Sequence, residues 1–99
     1  MTLGTYECKT TFWNDFTIAE MFGGVKGIRE TYKRALKEWK SDYVYLTELV
    51  MVLNWKIWHF YERNDTYARV YNELWESASY YASTHLKGDE LSYYYSTTD

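Results

Sequence analysis

The chain has 99 residues, 46% of them hydrophobic and 21% aromatic, and a formal net charge of -3. That length fits one small domain. The apolar mass excludes a disordered tail, which lacks the side chains to offset ordering entropy. The longest aliphatic run, Leu49 to Leu53, falls far short of the ~20 residues that cross a bilayer.

Mean hydropathy is -0.57 despite the high hydrophobic fraction, and the twelve tyrosines explain the conflict. Residues 1–13 contain no basic start followed by an apolar stretch, so no secretory signal is expected. Cys8 stands alone and permits no internal disulfide. Together these features predict a cytoplasmic domain with no membrane segment.

Proline is absent, and no glycine lies between Ile28 and Lys87. Nothing there forces a helix to break, so an all-α fold is expected. Residues 1–13 read as an irregular packed arm, because Thr5, Thr10 and Thr11 suit extended backbone but have no second strand to pair with. Asn14 then reads as an N-cap with Asp15 in the first turn of a short helix. Phe16, Ala19 and Phe22 make its apolar side, and Gly23 is expected to supply the left-handed C-terminal residue.

A second helix is expected over about 25–40, with Val25, Ile28, Tyr32, Leu36 and Trp39 on one face. Ser41 and Asp42 suit a turn. The stripe nevertheless continues in phase through Tyr43, Leu46, Val50 and Leu53, so two helices and one bent helix over 25–63 both fit. The third helix, about 43–63, carries Leu46, Leu49, Val50, Leu53, Ile57 and Phe60 on its main face. A second apolar stripe of Met51, Val52, Trp55 and Trp58 lies beside it, which predicts a central position.

The fourth helix, about 66–86, turns Tyr67, Val70, Tyr71, Leu74, Trp75, Ala78, Tyr81, Ala82 and His85 inward. Gly88 ends it, Asp89 caps a short turn through Tyr95, and residues 96–99 fray. The predicted architecture is one all-α domain over 1–99: a compact three-long-helix bundle with a short N-terminal helix and a short C-terminal helical turn.

Catalytic chemistry finds little support. His59 and Glu62 share a helix face and could combine with Glu48 and His85, but the Glu-x-x-His order of di-iron bundles is reversed and unrepeated. No metal and no other cofactor is expected. Residues 22–27 lack the glycine spacing of a phosphate loop, and no Ser-His-Asp order stands out. The sequence reads as non-enzymatic.

Three surfaces remain as binding candidates. The first is the C-terminal set Asp89, Glu90, Tyr93, Tyr94 and Tyr95, where three adjacent tyrosines cannot all face inward. The second is Met51, Trp55 and Trp58. Phe12, Trp13, Phe16 and Phe22 are expected to cover this stripe; left uncovered, it would be a protein-docking surface or a homodimer seam. The third is the basic row Lys26, Arg29, Lys33, Lys37 and Lys40, which suits nucleic acid, although Glu30 and Glu38 are spaced to pair with Lys33 and Arg34.

Residues 11–19 (Thr11-Phe12-Trp13-Asn14-Asp15-Phe16-Thr17-Ile18-Ala19), residues 46–58 and the ending His85-Leu86-Lys87-Gly88-Asp89-Glu90-Leu91 carry a resemblance. Through them the chain resembles a group of small uncharacterised proteins encoded on conjugative elements and phages of gut Firmicutes. No residue roles come with that likeness. It implies an accessory protein of a mobile element that binds a host protein, in its sharpest form an inhibitor of an RNA-guided defence nuclease, as anti-CRISPR proteins are. The tyrosine-rich, acidic C-terminal set would then be the partner-binding surface. A nucleic-acid-binding regulator and a homodimeric bundle are the alternatives.

Overall fold

The computed structural model describes the backbone of residues 3–98 and the side chains of residues 11–98. Among the described residues five α-helices make the fold: α1 (Leu3–Phe22), α2 (Gly24–Trp39), α3 (Tyr43–Phe60), α4 (Asp65–His85) and α5 (Asp89–Thr98). Among the described residues there is no strand.

The N-terminal segment differs most from expectation. In place of an irregular arm over 1–13 and a short helix, α1 is a 20-residue helix beginning at Leu3. Asn14 lies inside it rather than at its cap. Phe12, Phe16 and Ala19 are all buried at 4–3 spacing, so tertiary packing overrides the weak preference of the threonines for extended backbone. Side chains before Thr11 lie outside the described residues, as do Met1, Thr2 and Asp99.

The turn after α1 is also displaced by one residue. Gly24, not Gly23, takes the left-handed conformation at φ 59°. Gly23 serves a different purpose: a Cβ there would lie 2.8 Å from the Cα of Gly27, and one on Gly27 would lie 3.2 Å from the Ala19 carbonyl oxygen. Without side chains at these two positions, α1 and α2 cross almost backbone to backbone.

The stripe over residues 25–63 is divided between two helices. Asp42 breaks it, accepting hydrogen bonds from the Val44 and Tyr45 amides at 3.1 and 3.2 Å. Asn64 caps α4 in the same way through the Tyr67 amide at 3.1 Å. Gly88, at φ 60°, separates α4 from α5. The expected C-terminal turn is a ten-residue helix, and the segment expected to fray from Ser96 is helical through Thr98.

Helix α3 touches all four others, most extensively α4. Phe16, Ile28, Leu46, Leu49, Leu53, Tyr71, Ala78 and Ala82 are fully enclosed in the core. Tyr45, off the apolar stripe in sequence, is half-buried and stacked on Trp39 with ring centroids 4.1 Å apart. His85, expected to face inward, is exposed and stacks on Tyr81 at 3.9 Å.

Candidate functional site

A buried polar cluster joins α1, α3 and α4. Lys56 occupies a core position on α3, following Leu49 and Leu53 at 4–3 spacing, and is 1% exposed. Its Nζ lies 3.0 Å from the Glu20 carboxylate and donates to Thr17 Oγ1 at 2.8 Å. The same ammonium sits 3.8 Å from the centroid of the Trp13 ring. The Tyr71 phenol donates to the Glu20 carboxylate, and the Tyr67 phenol donates to the Glu20 carbonyl at 3.2 Å.

Burial pulls the Lys56 ammonium down from its usual pKa, an effect partly opposed by Glu20. Burial also pushes the Tyr71 phenol up, and the Glu20 carboxylate adds to that rise. Lysine, tyrosine and carboxylate together suit proton transfer or imine chemistry. Here Lys56 is nearly enclosed, and none of the three surface cavities found among the described residues is lined by Glu20, Lys56 or Tyr71. The cluster is a clamp that fixes α1 on α3 and α4. Sequence reasoning missed it, although a lysine in phase with Leu49, Leu53 and Phe60 was the available signal.

The phenols make the fold sensitive to alkali. The folded pKa values of Tyr71 and Tyr32 both lie above the ordinary 10.0. Their contribution is therefore complete below pH 10 and is lost as pH rises beyond it. Lys56 acts oppositely, because its folded value lies below the ordinary 10.5 and its contribution grows with pH up to that point. Beyond it only the loss remains. Unfolding followed by circular dichroism should steepen there, and Tyr71→Phe should move the alkaline midpoint upward. An identical midpoint in the variant would contradict this.

The accessible candidate is a groove of 620 Å³ between α3, α4 and α5. Met51 and Trp55 enter from α3, Trp75 and Tyr80 from α4, and Tyr94 and Tyr95 from α5. Asn54, Ser79, Ser83, Thr97 and Thr98 supply amide and hydroxyl groups, and among the described residues no charged one lines it. Trp55, Tyr80 and Tyr95 are 42%, 72% and 47% exposed.

This groove draws on two of the sequence-derived sets without containing either. From the C-terminal set it takes Tyr94 and Tyr95. Tyr94 is nearly enclosed at 5% exposure. Tyr93 turns away and packs edge-on against Tyr43 at 5.3 Å. Asp89 and Glu90 are exposed at the start of α5, outside the groove lining. From the second set it takes Met51 and Trp55, whereas Trp58 lies apart, beside Tyr61 at 5.4 Å.

The expected aromatic cover is not formed. Phe12 and Phe16 are buried in the core, Trp13 packs against His59 and Lys56, and Phe22 is 82% exposed. Trp13 and Glu20 of α1 lie on the Lys56 and His59 side of α3, while Trp55 and Trp58 are 42% and 64% exposed.

On α2, Lys26, Lys33, Lys37 and Lys40 are exposed, and Arg29 is half-buried and ion-paired with Glu73 at 2.8 Å. The pairs spaced for Glu30 and Glu38 are not made; Arg34 instead donates to Thr31 at 3.3 Å. His59 contacts Arg63 at 3.1 Å. Among the described residues, no three His, Cys, Asp or Glu side chains are placed to hold a metal ion, and no helix is long and apolar enough to cross a membrane. Comparison of the chain with protein families, curated proteins and solved structures gives no match.

Proposed function

We propose that this chain is a non-catalytic protein-binding protein and that its docking surface is the groove between α3, α4 and α5. One observation carries the reading: the exposed Trp55, Tyr80 and Tyr95 surround a groove edged with hydroxyl and amide groups and, among the described residues, lined by no charge. Interface centres are depleted in charge and enriched in tryptophan, tyrosine and methionine. The hydroxyls and amides suit the backbone of an inserted polypeptide segment.

Asp89 and Glu90 lie less than two helical turns before Tyr95 on α5. They favour a partner with cations beside its inserted segment. The resemblance to mobile-element proteins makes an RNA-guided defence nuclease of the host the partner to test, with its basic nucleic-acid channel as the surface that is occupied.

The test is cleavage by such a nuclease in the presence of the purified chain. Inhibition is expected, and Tyr80→Glu and Tyr95→Glu should each weaken it by about 30-fold, the loss typical of an interface anchor. Both side chains are exposed, so circular dichroism should show unchanged folding. Absence of inhibition excludes the nuclease as partner. Inhibition that survives both substitutions removes the groove from the account. A stable dimer with the groove at its seam would make a second copy the occupant.

A further inference from the structure

The lysine row on α2 is separate from the groove. Lys26, Lys33, Lys37 and Lys40 fall within one narrow sector of the helix and span about 21 Å along it. None of the four has an ion-pair partner among the described residues, whereas Arg29 is held by Glu73 and Arg34 by Thr31. Neighbouring lysines three and four residues apart repel each other, which weakens an isolated helix. A line of phosphates removes that repulsion.

We propose that this row binds the phosphate backbone of double-stranded nucleic acid without reading its sequence. A strand of B-DNA presents a charge about every 3.4 Å of axis, so a straight 21 Å row passes enough phosphates to engage every lysine. Single strands fit less well, because they are held by base stacking on aromatic side chains. The aromatic residues of α2, Tyr32 and Trp39, face the core: Tyr32 bonds to Ser77, and Trp39 stacks on Tyr45. Lysine also lacks the planar fork that reads guanine. The net charge of -3 does not oppose this, because residues 25–41 hold six cations against two carboxylates and the acidic excess lies elsewhere in the chain. Glu30 and Glu73 border the row and limit its field.

Fluorescence anisotropy with a short labelled duplex, titrated from low to physiological salt, tests the proposal. The logarithm of affinity should fall against the logarithm of salt with a slope of about -3.6, the value for four phosphates. Lys33→Gln combined with Lys37→Gln should bring the slope to about -1.8. Tyr95→Glu should leave it unchanged, which separates this face from the groove. No binding at low salt overturns the proposal, as does a slope unaffected by the double substitution. Tighter binding to the matching single strand, or binding to anionic vesicles but not to duplex, also overturns it.

Discussion

Glu20→Ala is expected to lower the unfolding free energy by about 3 kcal/mol, because it leaves the Lys56 ammonium buried without its counter-charge. Lys56 is 1% exposed and the Glu20 side chain 9% exposed, so water cannot replace the lost carboxylate without opening the core. The Tyr71 phenol loses its acceptor in the same step. For a domain of this size the melting midpoint should fall by roughly 15 °C.

The compensated variant separates charge from packing. Glu20→Gln combined with Lys56→Met keeps the volumes and an acceptor for Tyr71 while removing both charges. It should recover most of the loss, since apolar replacement of a buried pair is often close to neutral. If the single and double variants melt alike, the ion pair is not what holds α1 in place.

Gly23→Ala is the second large effect. Its added methyl would stand 2.8 Å from the Gly27 Cα and 3.3 Å from the Ala19 carbonyl oxygen. Both are backbone atoms, so no side chain can swing aside and the helices must separate. Overpacking of this kind costs about 1–3 kcal/mol. Gly88→Ala is the matched control: φ is 60°, yet the new Cβ meets nothing within 4 Å. It should cost about 1–2 kcal/mol from the left-handed backbone alone. Thermal melts of the two variants distinguish steric contact from backbone preference. An unchanged midpoint for Gly23→Ala would mean that α1 and α2 do not cross this closely.

The helical character of α2, α3 and α4 was legible in the sequence because their apolar residues repeat strongly and Asn64 and Gly88 mark ends. The break between α2 and α3 was not, since the stripe runs on in phase and only the Asp42 cap decides for two helices over one bent one. Helix α1 was not legible either. Its threonines and the cap-like Asn14-Asp15 pair carry a local signal that burial of Phe12 against Tyr45 of α3 and of Phe16 against Tyr71 of α4 overrides. Lys56 illustrates another gap. Its helical phase places it inside, but only the fold brings Glu20, from 36 positions earlier, to neutralise it.

The groove was half legible. Trp55 and Met51 stand off the main stripe of α3, and the adjacent tyrosines forced an exposed ring on α5. Which ring, and that it would meet Trp55 and Tyr80, depended on the length and docking of α5. One turn of helix separates the groove-lining Tyr94 and Tyr95 from Thr97 and Thr98, the residues that complete it beyond the turn predicted to stop at Tyr95.

Hydrogen–deuterium exchange on the chain in complex with its protein partner tests the central claim most directly. The groove reading predicts added protection at residues 51–55 of α3, 75–83 of α4 and 94–98 of α5, with α2 unchanged. Protection confined to α2, or to the exposed end of α1 at Ile18, Met21 and Phe22, would contradict it.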